Sequence, residues 1–302
     1  MPLDADFPPI HGTYPALLDW LAARGGEQWA PALRYSPVFS EQGFEPGDEE
    51  LRDVWPSGVQ VSWLGGPAVD VGAWPRTEDG AALTHVATID LADLDGTLDR
   101  AGKATWPAKR RPEGLPTSGV LQVFHDLGTF GYEAEDGVRG AWAVLVSPEA
   151  GDVPRPPLVD APEPGSAPTQ ACQLMLAHGG FDLPSSLDVV PDAAGDADRL
   201  DELKETLKKA WMTQRQVGGD YAIPSTRAYG YSSHGHHAAT LDVLPELLPL
   251  ADGDEYRLLL EIESWTALDG WFGDAGSLEV WMRRSDLESQ AFENAWCLVR
   301  TD

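Results

Sequence analysis

The sequence predicts an α+β protein made mainly of antiparallel sheets from two related halves, with a few peripheral helices. Short alternating segments rich in Val, Leu and aromatic residues recur along the chain, and 31 Gly and 25 Pro residues place turns between them. A strand–turn–strand pattern also occurs twice. At 302 residues the chain is long enough to bury a large core. We therefore expect one duplicated domain or two small ones.

Residues 1–58 are predicted to form an N-terminal helix and a loop-rich lead-in. Thr13 is a suitable N-cap for the apolar run that follows it, and Gly25 is suited to ending that helix. Four prolines indicate that 27–58 is mostly loop. Residues 59–147 are the first β-rich half, with a short helical turn capped by Asp90. Its strands are predicted at 59–64, 85–91, 119–125 and 140–147.

Residues 148–170 contain seven prolines and are predicted to be a stiff, extended connector between the halves. The second β-rich half spans 171–302. Its clearest helix covers 198–217, where Leu200, Leu203 and Leu207 recur at helical spacing. Further strands are predicted at 257–263, 278–282 and 295–300, and a capping box at Ser285 indicates a short helix between the last two.

The repeated pattern is the basis for expecting an internal duplication. Thr88-Ile89-Asp90 corresponds to Glu261-Ile262-Glu263, and SGVLQVF from Ser118 corresponds to AGSLEVW from Ala275. In both copies a small residue and a glycine permit a tight entry into an alternating strand that ends in a large aromatic residue. The alternative is that unrelated antiparallel hairpins reuse the same local pattern.

Several motifs occur in a characteristic order: WLGGP, WPRTEDG, ATIDLADL, PTSGVLQVF, LLLEIES and WFGDAGSLEVW followed by SDL. With these motifs the chain resembles the YwqG-like family of bacterial cytoplasmic proteins, whose function is unknown. The family often has Gln where this chain has Thr88 and Glu261, and an acidic residue where it has Trp265. The resemblance implies a strand-rich α+β fold and supplies no reaction.

The net charge is −28, from 49 acidic and 21 basic residues. Such a surface repels phosphate backbones and anionic lipids, which argues against nucleic-acid and membrane partners. It serves either solubility or attraction of a basic protein partner. The acidic N-terminus lacks the features of a secretory signal. Because Cys172 and Cys297 are the only cysteines, we expect reduced, buried thiols in a cytoplasmic protein.

A histidine-rich loop, SSHGHHAAT, carries the candidate metal ligands His234, His236 and His237. In an extended segment His234 and His236 face the same side, which suits a metal chelate. No established metal-binding spacing accompanies them. The competing interpretation is a solvated loop, and we expect no cofactor.

Aromatic residues and carboxylates around the second copy form a candidate ligand- or partner-binding set. Strand alternation predicts that Glu261 and Glu263 share one face, with Ile262 opposite. A Gly-rich segment containing tyrosines is typical of an exposed recognition loop. The tryptophans are equally suited to core packing, and Asp274 to stabilising its own turn. The set is Tyr229, Tyr231, His236, Glu261, Glu263, Trp271 and Asp274.

No catalytic signature identifies a reaction. His125-Asp126 lacks an adjacent nucleophile, and Ser118 and Ser277 lack the GxSxG context. We therefore expect a non-catalytic protein-binding module, in one version an immunity or antitoxin-like protein that caps a basic toxin. The alternative is a metal-dependent hydrolase that uses the 234–237 loop and nearby carboxylates. A structural housekeeping role also fits the sequence.

Overall fold

The computed structural model describes residues 14–42, 47–100, 114–147, 155–162, 171–188, 197–215, 226–264, 268, 270–273 and 276–301. Its helices are α1 (Tyr14–Ala23), α2 (Asp48–Val54), α3 (Leu91–Arg100), α4 (Ala134–Val138), α5 (Ala197–Arg215), α6 (Leu244–Leu247) and α7 (Arg284–Glu288). Its strands are β1 (Arg34–Tyr35), β2 (Val38–Gln42), β3 (Ser62–Gly65), β4 (Ala68–Val69), β5 (Thr84–Asp90), β6 (Val120–His125), β7 (Trp142–Ser147), β8 (Leu158–Val159), β9 (Cys172–His178), β10 (Phe181–Asp182), β11 (Arg227–Ala228), β12 (Tyr256–Glu263), β13 (Ser277–Arg283) and β14 (Trp296–Arg300).

Within the described ranges, ten strands form one antiparallel sheet in the order β14-β13-β12-β11-β2-β9-β3-β5-β6-β7. The two end strands approach each other, since Trp142 of β7 and Trp296 of β14 pack edge to face with ring centroids 4.8 Å apart. The indole N–H of Trp142 also donates to the carbonyl of Ala295 at 3.0 Å. The sheet is therefore nearly closed and barrel-like. Two small sheets, β1-β10 and β4-β8, accompany it.

The largest hydrophobic cluster fills the inner face of this sheet. Ile89 and Leu121 from the first half belong to it, together with Ile262 and Leu278 from the second. The outer face has its own clusters: Leu51 of α2 packs there with Trp63, and Leu244 of α6 packs with Trp281. Because side chains alternate along a strand, neighbours of inner-face residues are directed to the outer face. Glu261 and Glu279 occupy such outer-face positions.

The expectation of a mainly antiparallel α+β fold is confirmed, and each predicted strand of both halves is found with small boundary shifts. Residues 1–58 were predicted to contain one helix and otherwise loop. The structure shows that this segment also contains α2 and supplies β2 to the middle of the sheet. Strand β9 is likewise a difference, since no strand was predicted there. The described part of the connector contains β8, which pairs antiparallel with β4, so part of the connector lies along the first half.

The three-stranded units β5-β6-β7 and β12-β13-β14 have matching local geometry. The β5–β6 register shifts between His85 and Ala87, and the β12–β13 register shifts at the corresponding place, between Leu258 and Leu260. Thr88 then pairs with Gln122, as Glu261 pairs with Glu279. The two units therefore present different side chains on a similar backbone frame.

Both cysteines are free and buried, which confirms the expectation of unpaired, buried thiols. Burial raises the pKa of Cys172 to about 12 and also raises that of Cys297, so neither is a reactive thiolate at neutral pH. Within the described ranges, no helix combines the length and apolar character needed to cross a bilayer.

Candidate functional site

Among the residues that the structure describes, a concentration of buried charge lies on the outer face of the second half. We call it the acid–arginine cluster: Asp182, Arg227, Glu261, Glu279 and Arg300. Arg227, Glu261 and Glu279 are cross-strand neighbours on β11, β12 and β13. The two glutamates have no solvent-exposed surface. Buried charges are costly unless they are paired and hydrogen-bonded, so their partners determine what this cluster can do.

Arg227 joins two carboxylates. Its Nη2 lies 2.9 Å from Glu261 Oε2, and its Nη1 donates to Asp182 Oδ2 at 3.0 Å. Burial opposes the charge on the guanidinium, but Glu261 and then Asp182 outweigh this effect and raise the pKa of Arg227. Arg227 therefore remains a cation that neutralises part of the buried negative charge.

Glu279 is held by hydrogen bonds from neutral donors. The hydroxyl of Ser232 donates to one carboxylate oxygen, and the indole N–H of Trp281 donates to the other at 2.8 Å. Arg300 Nη1 lies 3.7 Å from Glu279 Oε2 and, among the described residues, has no hydrogen-bond partner. Burial, followed by the charge of Glu261, raises the pKa of Glu279, so its protonated form is favoured relative to an exposed glutamate.

The loop between β11 and Ala238 covers this cluster. Tyr229 and Gly230 have φ values of 61° and 80°, and a Cβ on Gly230 would meet Asp182 Oδ2 at 2.8 Å. The hydroxyl of Ser233 donates to Glu261, and its backbone N–H donates to the same carboxylate at 3.2 Å. The buried charges therefore fix the loop on the sheet, and the glycine permits its close approach.

The three candidate histidines of this loop have different surroundings. His234 Nδ1 lies 3.8 Å from Glu261 Oε1, and the backbone carbonyl of His234 accepts a hydrogen bond from Arg300 at 2.8 Å. His236 Nε2 lies 3.1 Å from Arg34 Nη1; burial, and next the charge of Arg34, lower the pKa of His236 to about 2. His237 donates its backbone N–H to Asp188 at 2.9 Å. His234 is therefore the histidine that joins the buried glutamates.

His234, Glu261 and Glu279 each offer a ligand atom, and these three atoms lie within 4.8 Å of one another. The same carboxylates already accept hydrogen bonds from Arg227, Ser232, Ser233 and Trp281. Two guanidinium groups also compensate the charge of the two glutamates. A divalent cation would have to displace some of these contacts and would add positive charge beside Arg227 and Arg300.

The structure places the other predicted binding residues mostly inside the protein. Tyr229 belongs to the main hydrophobic cluster and Tyr231 is also buried, which corrects the expectation that they lie in an exposed recognition loop. The Tyr231 hydroxyl donates to the carbonyl of Ala32 at 2.6 Å. Trp271 packs in the main cluster. Asp274 lies outside the described residues.

The predicted alternation at the end of β12 is found, because Ile262 belongs to the inner cluster while Glu261 contacts Arg227 on the outer face. Glu263 is half-buried. The candidate set omitted Asp182, Arg227, Glu279 and Arg300. The sequence signal for them is weak, since they are isolated charges in separate segments and strand register is needed to bring them together.

The first half contains a neutral counterpart of this cluster. Trp63 pairs with Thr88 as Arg227 pairs with Glu261. The side chain of Gln122, which corresponds to Glu279, accepts from Val69 N–H at 2.8 Å and donates to its carbonyl at 3.1 Å. The strands β3, β5 and β6 therefore pair in the same way as β11, β12 and β13 without charged side chains at these positions. Buried charge is not required for this strand pairing.

These features define a strand-rich α+β protein with a nearly closed antiparallel sheet and a buried, charge-compensated cluster in its second half. The model of a family described as a domain of unknown function (DUF1963) matches residues 63–300. The chain belongs to that family. A search of curated proteins gives no match.

Proposed function

We propose that this protein binds a basic protein partner without catalysing a reaction. The net charge of −28 is the observation that carries the proposal, because a surface of this charge attracts and orients a cationic partner. The cluster geometry is compatible with this role, since its charged groups are directed at one another. A cytoplasmic location and an immunity or antitoxin-like role are specific versions of the proposal.

We place the partner on a face where exposed leucines lie among carboxylates. Leu187 is 82% exposed and Leu241 is 65% exposed. The segments that carry them are joined by the hydrogen bond from His237 N–H to Asp188. Asp242 and Glu246 are exposed on the second segment. We call these four side chains, Leu187, Leu241, Asp242 and Glu246, the leucine–acid face; it suits a partner with apolar and basic side chains.

Reversing two charges on the leucine–acid face tests this proposal. A basic protein would first be cross-linked to this protein in the organism's lysate, identified and purified. The Kd of its complex with this protein would then be measured at low and high salt. We expect Asp242→Lys with Glu246→Lys to weaken binding by about tenfold or more at low salt, because attraction becomes repulsion. Asp19→Lys with Asp53→Lys is the matched control, since both residues are exposed elsewhere. Equal weakening by both pairs would contradict the proposed location, and salt-independent binding would contradict the electrostatic mechanism.

The narrower YwqG-like assignment and the internal duplication are part of the same proposal. The order of the sequence motifs supports the first. The second is supported by the shared register and the matching register shifts of β5–β6 and β12–β13. Under this interpretation, the second copy acquired charge where the first has Thr88 and Gln122.

A second candidate function is a metal-dependent hydrolase, which the convergence of His234, Glu261 and Glu279 favours. This candidate requires stoichiometric zinc, manganese or iron in protein purified without an affinity tag, and a higher Tm when the metal is added. Glu279→Gln should then abolish the metal-induced rise in Tm, whereas Gln122→Glu, the matched position in the first half, should leave it intact. Metal-free protein with an unchanged Tm would remove this candidate.

A further inference from the structure

A cavity of about 180 Å³ lies on the outer face of the first half, away from the acid–arginine cluster. The short β4-β8 sheet forms one side, and the loop after β4 forms another. Its apolar walls include Val71, Trp74, Phe124, Val159 and Pro162. An engineered apolar cavity of about 150 Å³ is large enough to bind benzene, so this space suits a small organic group.

Two aromatic rings shape the cavity. Trp74 and Phe124 pack edge to face with ring centroids 5.2 Å apart, and the indole N–H of Trp74 donates to the carbonyl of Leu83 at 2.8 Å. The Trp74 ring is therefore fixed before any ligand arrives. The face of a tryptophan ring attracts a cation that lies within about 6 Å of its centre.

The polar groups at the cavity are two carboxylates with different partners. Asp160 is already paired with Arg52, with Nη2 and Oδ1 2.5 Å apart. Asp70 is exposed, and its Oδ1 accepts a hydrogen bond from Gly72 N–H at 2.7 Å. In the part of the chain that the structure describes, no cation lies within ion-pair distance of Asp70. Its carboxylate is held in place and has the capacity to accept further hydrogen bonds.

From this combination we propose that the cavity is a binding site for a guanidinium or ammonium group carried on a short apolar stem. The stem occupies the apolar space beside Trp74 and Phe124, and the cationic group pairs with Asp70. The source is either a free small molecule or an Arg or Lys side chain of a protein. The site is independent of the leucine–acid face, so either proposal can fail without the other.

Butylguanidinium and its neutral isostere butylurea provide the test, followed by ¹H–¹⁵N NMR of the labelled full chain. We expect butylguanidinium to cause saturable shifts of the Trp74 indole and Gly72 amide signals, and butylurea to bind at least about tenfold more weakly, since it cannot form the ion pair. Asp70→Asn should weaken butylguanidinium binding by a similar factor. Asp19→Asn makes the same charge change on α1 and should have no effect.

A third ligand identifies the source of the cation. If acetyl-Gly-Arg-Gly-amide produces the same shifts, the site accepts a protein side chain; if only butylguanidinium does, it accepts a free molecule. Both outcomes support the cation site. Absence of saturable shifts, equal binding of the two isosteres, or unchanged binding by the Asp70→Asn variant would overturn it.

Discussion

Replacing Arg227 by Ala should lower the free energy of unfolding by about 3–5 kcal/mol, the usual loss when one partner of a buried ion pair is removed. The substitution would leave Glu261 and Asp182 buried without their shared cation. It would also remove the hydrogen bond from Arg227 to the carbonyl of Tyr231. Urea unfolding at neutral pH measures the change directly.

Arg257→Ala is the matched control for this experiment. Arg257 pairs with Glu255, whose side chain is 45% exposed, so we expect a loss of at most about 1 kcal/mol. Adding Glu261→Gln to Arg227→Ala should recover part of the stability, since it removes one of the two orphaned charges. If the Arg227 and Arg257 variants lose the same free energy, the cluster is not a buried ion-pair network.

Lowering the pH from 7.5 to 5.5 should destabilise the protein through three buried histidines. Burial is the main cause that lowers the pKa of His85 and His125 to about 4 and that of His236 to about 2. Unfolding raises each pKa to about 6.5, so the unfolded chain takes up protons that the folded chain excludes. The contribution of these three histidines to the free energy of unfolding is therefore fully present above pH 6.5 and decreases as the pH falls below that value. The three groups together should remove roughly 4 kcal/mol at pH 5.5.

Urea unfolding at a series of pH values measures this loss. His125→Asn is the informative variant, because Leu127 N–H donates to His125 Nδ1 at 3.0 Å and the Asn carbonyl can accept the same bond. Whatever its absolute stability, this variant should lose about 1.4 kcal/mol less than the wild type between the two pH values. The raised pKa of Glu279 has the opposite effect on stability as the pH falls. It reduces the pH dependence of the free energy of unfolding equally in the wild type and in the variant. Identical slopes for the two proteins would contradict the prediction.

Local patterns were sufficient to predict most of the sheet, because alternation and turn residues act over a few positions. The strands around Ile89 and Ile262 are examples, and so is the opposite orientation of Ile262 and Glu261. Strand β2 was missed because the four prolines of the stretch 27–58 around it favour a loop locally, whereas its place in the sheet is set by pairing with β9, more than a hundred residues away. Such pairing leaves little trace in the segment itself.

The candidate site was predicted only in part for the same reason. His234 and Glu261 were identified from composition and motif position, but their arginine partners come from other strands. His236 was a candidate partner-binding residue and, in the alternative, a metal ligand, yet its Nε2 lies 3.1 Å from Nη1 of Arg34, 202 residues earlier in the chain. The tyrosines were expected on the surface because Gly-rich segments usually are. At Tyr229 a positive φ accompanies a ring packed in the core.

The position of β2 also determines how the protein assembles. This strand comes from the N-terminal part of the chain but lies between β11 and β9, while β9 in turn pairs with β3. The strands of the second half therefore continue into β2 from the N-terminal part, and the strands of the first half continue into β9 from the second half. An exchange of strands between two identical molecules is the arrangement of a domain-swapped dimer. Here the exchanged strands belong to one polypeptide. Dilution therefore cannot separate them, and the stability that this strand exchange provides does not depend on protein concentration.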